Sequence, residues 1–122
     1  MNQSTQERNQ LYEYAVKFAL EVREFGKLLP MTVANVEDLK QLIRASGAIG
    51  VSYISAQSSS NRTEYLLGIK KCVMESKSTH YWLRLVDSQG AGELEKRRSQ
   101  LMQAAQELAT VFGKIIQTSK VT

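Results

Sequence analysis

The stretch Gln41–Gln57, QLIRASGAIGVSYISAQ, constrains the fold more than any other part of the chain. Wound as an α-helix at about 100° per residue, it places Leu39, Leu42, Ile43, Ala45, Ser46, Gly47, Ile49, Gly50, Tyr53, Ile54 and Ala56 on one arc of about 200°. Lys40, Gln41, Arg44, Ser52 and Ser55 fill the rest. An arc that wide exceeds the stripe that a helix buries on one side. The expectation is a helix packed both against its own bundle and against another subunit, with Leu42, Ile49 and Tyr53 at the subunit contact. Gly47 and Gly50 predict close backbone approach.

The flanking pattern predicts three more helices. Ser4-Thr5-Gln6-Glu7 has the spacing of a capping box, and Leu11, Ala15, Phe18, Val22, Phe25 and Leu29 then form a narrow core stripe. Pro30, the single proline, biases Leu29 away from helical geometry and ends the first helix. Tyr12, Val16 and Ala19 make a second apolar group on its flank, read as a contact beyond the monomer core. Thr32 or Asn35 is available to cap the second helix, which extends back to about Val36. The turn Ser58-Ser59-Ser60-Asn61 leads to a third helix capped by Asn61 or Ser60, with Glu64 in its first turn. Its inward stripe is Tyr65, Ile69, Cys72, Val73, Ser76, Thr79, Leu83 and Val86. After Ser88-Gln89-Gly90-Ala91-Gly92, a fourth helix carries Leu94, Leu101, Leu108 and Ile115 at seven-residue spacing, with Ala105 and Phe112 between them. Helices over about 5–29, 36–57, 62–87 and 93–118 with short links specify one all-α domain, an up-down-up-down antiparallel four-helix bundle.

Composition removes several function classes. One cysteine and one histidine leave no disulfide framework and no metal or nucleophilic cluster, so no enzyme, cofactor or small-molecule substrate is expected. Cys72 lies on an apolar helix face and reads as a core thiol. The N-terminal residues lack a signal-peptide core, and no uncharged run approaches the roughly 18 apolar residues of a membrane span. A cytoplasmic, membrane-free protein is the expectation. Net charge is +4, and the excess is confined to residues 61–122, where ten Lys/Arg face six Asp/Glu.

Lys70, Lys77 and Arg84 recur every seven residues along the third helix, with Tyr81 on the same side. Lys96, Arg97 and Arg98 open the fourth helix and would lie near Arg84 in an antiparallel pair. This pattern suits a phosphate-tracking ridge with an interleaved aromatic, and a solvated face is the alternative. Arg44 and Glu75 suit a polar pair that fixes register across helices or subunits, with surface placement as the alternative.

Residues 41–86 resemble the four-helix bundle family of 23S rRNA intervening-sequence proteins. The matching positions are Gln41, Arg44, Ile49, Gly50, Tyr53, Gln57, Glu64, Tyr65, Glu75, Thr79, Tyr81, Trp82 and Leu83. Four positions depart from the family pattern: Ala48 stands for a serine, Ser52 for an asparagine, and Ser55 and Ser78 for glutamates. The resemblance implies a bacterial homo-oligomer, with pentamers known in the family, and association with RNA or a ribonucleoprotein. Accessory proteins of diversity-generating retroelements share the bundle and bind a reverse transcriptase and nucleic acid. Function is therefore expected to be non-enzymatic RNA or ribonucleoprotein binding through the basic residues. A protein–protein adaptor without a nucleic-acid role is the alternative.

Overall fold

The computed structural model describes residues 3–121, with side chains through Ser119. Four helices follow in order: α1 (Thr5–Leu28), α2 (Val33–Gln57), α3 (Arg62–Leu85) and α4 (Gly92–Val121). Each α1–α3 boundary has a local cause. Ser4 and Glu7 close the capping box, and Leu29 turns to extended backbone (φ −72°, ψ 143°) before Pro30. Thr32, not Asn35, caps α2, so that helix opens at Val33 rather than near Val36. Asn61 caps α3 by accepting from the Glu64 amide at 2.9 Å. The link to α4 turns at Gln89 and Gly90, whose φ angles are 54° and 78°.

Consecutive helices are antiparallel, because the end of each meets the start of the next. Gly26 abuts Leu39, Gly68 abuts Ala56, and Arg98 reaches Leu83. The bundle closes through α1 against α4, and among the described residues the backbones of the diagonal pairs stay apart and meet only through core side chains. The most extensive packing joins α2 to α3 and α3 to α4. At the α2–α3 crossing, a Cβ added to Gly68 would stand 2.6 Å from the Ala56 Cβ. Close approach therefore falls at Gly68 and Gly26, not at Gly47 or Gly50. An added Cβ at Gly50 meets nothing within 4 Å, and one at Gly47 meets only the Arg23 guanidinium at 3.7 Å.

The core follows the predicted stripes. Leu11, Ala15, Phe18, Val22, Phe25 and Leu29 are buried from α1, and Leu94, Leu101, Ala105, Leu108, Phe112 and Ile115 from α4. Tyr53 and Phe112 pack as tilted rings 5.6 Å apart, and the Tyr53 hydroxyl donates to Gln3 at 2.9 Å. Two buried hydroxyls of α3 are satisfied within the helix: Ser76 donates to the Cys72 carbonyl at 2.8 Å and Thr79 to the Glu75 carbonyl at 2.7 Å. The Cys72 thiol contacts the Ile49 carbonyl at 3.7 Å, and burial pushes its pKa up to about 12, so the thiolate is scarce at neutral pH.

One buried polar side chain ties the two loops at one end of the bundle together. Asn35 is fully buried. Its Nδ2 donates to the Pro30 and Asp87 carbonyls, each at 2.8 Å, and its Oδ1 accepts from the Asp87 amide at 2.9 Å. Removing the amide strands three partly buried backbone groups of Pro30 and Asp87, each of which costs up to roughly 1–3 kcal/mol when left unpaired. Asn35→Ala is expected to lower unfolding stability by about 2–4 kcal/mol. Urea denaturation followed by circular dichroism measures this, and an unchanged midpoint contradicts it.

Candidate interaction surfaces

Because Tyr65, Ile69, Cys72, Ser76, Thr79 and Leu83 turn one face of α3 into the core, the opposite face is left to solvent. Lys70, Lys77 and Arg84 are all exposed there. So are large apolar residues: Leu67, Met74 and Tyr81 keep 54%, 66% and 54% of their surface. The Tyr81 ring meets the half-buried Trp82 edge-on, with centroids 5.2 Å apart and planes at 74°. The ion pairs among the described residues are Lys27–Glu24, Lys40–Glu37 and Arg98–Glu95, so none engages the α3 cations.

The three basic residues that open α4 do not join this face as a group. Arg98 turns toward α3 and is largely covered, its side chain 13% exposed. Its Nη1 donates to the Leu83 carbonyl at 3.2 Å and the Arg84 carbonyl at 3.1 Å, satisfying acceptors that the end of a helix leaves open. Its Nη2 donates to Glu95 at 2.6 Å, and the Ser88 hydroxyl donates to the same carboxylate. Arg98 is thus a cap for α3, and the expectation that it contacts phosphate is corrected. Lys96 and Arg97 point the other way and line the groove between α1 and α4 beside Lys17, Glu21, Glu24 and Glu93. Expecting all three near Arg84 overlooked that successive helical residues diverge by about 100°.

Within one chain the polar pair does not form. Arg44 is exposed and makes no ion pair with the half-buried Glu75.

A second surface runs along α1 and α2. Tyr12, Ala15, Val16, Ala19, Leu20, Arg23, Gly47, Gly50, Val51 and Ile54 line a shallow groove of about 220 Å³. Its rim is apolar and exposed: Leu20, Val51 and Ile54 keep 58%, 67% and 49% of their surface. Of the residues expected at a subunit contact, Tyr12, Val16 and Ala19 lie here. Leu42, Ile49 and Tyr53 do not, because they are buried inside their own bundle and have no surface left to offer. The outward part of the broad α2 arc is instead Gly47, Gly50 and Ile54, joined by Val51, which sequence reasoning had not singled out. The available signal was the i, i+3, i+4, i+7 spacing of 47, 50, 51 and 54.

Among the described residues no group of three or more His, Cys, Asp or Glu side chains could hold a metal ion. No helix is long and apolar enough to cross a membrane.

No protein-family model matches the sequence, and no curated protein does. A solved structure does match: a protein of unknown function from the S23 ribosomal protein family of Bacteroides thetaiotaomicron. The two superpose with a TM-score of 0.77 over 90% of this chain and 97% of the other, at 20% sequence identity. At that identity the likeness establishes the four-helix fold.

The Arg98 cap carries a pH signature. Hydrogen bonds from Ser88 and then from Arg98 hold the Glu95 carboxyl below the ordinary glutamate value of 4.5. A carboxyl depressed in the folded state adds stability above its unfolded pKa and loses it as pH falls through its folded pKa. Unfolding midpoints are therefore expected to drop below pH 4.5 more steeply in the native chain than in Glu95→Gln. Arg98→Ala is expected to cost about 1.5–3 kcal/mol at neutral pH, since charged hydrogen bonds are lost. Equal acid slopes for the native chain and Glu95→Gln would remove Glu95 from this role.

Proposed function

We propose that the protein is a non-enzymatic, oligomeric bundle of the bacterial cytoplasm that binds structured RNA or an RNA–protein complex through α3. Lys70, Lys77 and Arg84 contact phosphates, Tyr81 lies among them, and Lys96 and Arg97 contribute from the neighbouring α1–α4 groove. The observation that carries this reading is the outward row of three exposed cations on α3, none held in an ion pair. Cations free of internal partners retain their charge for an anionic polymer, whose counterions they release on binding. The S23 ribosomal protein family of the similar fold lends further support.

Oligomerisation makes such a surface effective, because symmetry-related copies of a weak contact act together. The α1–α2 groove, with Tyr12, Val16 and Ala19, is the surface assigned to the neighbouring subunit, and a pentamer is the assembly proposed. Val51→Lys places a charge on that rim without touching the core and is expected to shift the assembly to monomer. Light scattering at micromolar concentration reads the change. A stable monomer in the native chain contradicts the oligomer.

RNA binding is checked by titrating labelled rRNA fragments at low and high salt. Affinity should fall with salt, and the combined change of Lys70, Lys77 and Arg84 to Ala should flatten the log–log slope by about 2–3 units. The competing reading is a protein adaptor, favoured by the exposed Leu67 and Met74 on the same face. It gains support if the purified complex shows a protein partner, no excess absorbance at 260 nm and no RNA binding at low salt.

A further inference from the structure

We infer that the α3 face takes unpaired nucleotides rather than duplex RNA, with Tyr81 as the platform on which a base stacks. This rests on the RNA-binding reading above and narrows it. Two rows run side by side along the outer face of α3. Leu67, Met74 and Tyr81 recur every seven residues, and Lys70, Lys77 and Arg84 do the same, each three residues later. Seven residues make nearly two turns, so each row repeats about every 10 Å along the axis. Each cation is offset by three from an apolar neighbour, the spacing at which helical side chains lie side by side.

The apolar row is exposed, as the basic one is. Met74 keeps 66% of its surface, and Leu85, at 44%, extends the row toward the end of the helix. A duplex presents phosphates and sugars to a convex helix, while its bases are stacked inside and paired. Such a partner would satisfy the cations and leave Leu67, Met74 and Tyr81 against a charged backbone. Unpaired nucleotides offer both chemistries at once, phosphates for the basic row and flat apolar base faces for the other.

Tyr81 is set up for stacking. Its edge-on contact with Trp82 orients the ring, and Trp82 is itself packed against the core. An aromatic oriented in advance loses little conformational freedom on binding. Of the two acids of α3, Glu75 is half-buried, and Glu64 stands at the helix start beside Leu67, where its carboxylate accepts from Ser60. No acid of α3 therefore stands beside Tyr81 or along the basic row from Lys70 to Arg84.

The test uses the full-length chain with a labelled 12-nucleotide RNA of mixed sequence, alone and annealed to its complement, at one low salt concentration. The single strand is expected to bind about tenfold tighter than the duplex. Tyr81→Ala should weaken single-strand binding roughly 10- to 100-fold, which is the usual contribution of one stacked base, and leave duplex binding unchanged. Tyr81→Phe should retain the affinity of the native chain. Trp82, the single tryptophan, reports directly: its emission should change when the single strand binds and stay constant with duplex. Tyr81 is exposed, so unaltered circular dichroism is expected for both variants. Equal binding of the two RNA forms, or a Tyr81→Ala chain that binds like the native one while the triple lysine and arginine variant fails, overturns this inference and leaves RNA binding in place. Failure of both RNA forms to bind overturns RNA binding as well.

Discussion

The amide of Asn35 is the interaction on which the arrangement of this bundle depends. Four amphipathic stripes bury apolar surface, but apolar contact is non-directional and tolerates sliding. A fully buried amide does not, because each of its bonds has a required length and direction, and an unmade bond in a dry interior is costly. Asn35 donates to Pro30 in one loop and exchanges two bonds with Asp87 in the other. Those bonds hold the α1–α2 hairpin and the α3–α4 hairpin level at one end. With that end fixed, Arg98 on α4 stands within reach of the last carbonyls of α3.

The same register explains how surfaces are divided among the helices. α2 and α3 meet closely where Gly68 admits Ala56, and both give their most apolar faces to the core. What α2 has left over is Gly47, Gly50, Val51 and Ile54, which form a groove with the flank of α1. What α3 has left over is the paired basic and apolar rows. The two surfaces adjoin where Val51 and Leu67 line a common groove between α2 and α3, while Tyr81 lies about 20 Å further along α3.

Much of this was legible in the chain. The core stripes of α1 and α4, the Ser4 capping box, the stop at Leu29 and the Asn61 cap follow from local chemistry: side-chain spacing, one proline and hydroxyl or amide caps. The exposed placement of Lys70, Lys77, Tyr81 and Arg84 was legible for the same reason, since seven-residue spacing keeps them together on whichever face is turned from the core. The readings that failed were those requiring knowledge of which helix is the neighbour. A hydrophobic arc marks residues that avoid water and does not say whether their cover comes from the same chain. Leu42, Ile49 and Tyr53 are therefore core, although they share an arc with the outward-facing Ile54.

Sequence by itself determined four helices, the candidates for their caps and most of the faces they bury, because these depend on residues within a few turns of one another. Tertiary structure alone decided the fate of the polar and small residues. Asn35 was a cap candidate until the Asp87 loop supplied its partners, and Arg98 one of three adjacent cations until the end of α3 came within its reach. Gly47 and Gly50 resembled a packing contact, yet the close contacts formed at Gly26 and Gly68. A polar group or a missing Cβ takes its meaning from what stands opposite it, and that is set only when the helices are assembled.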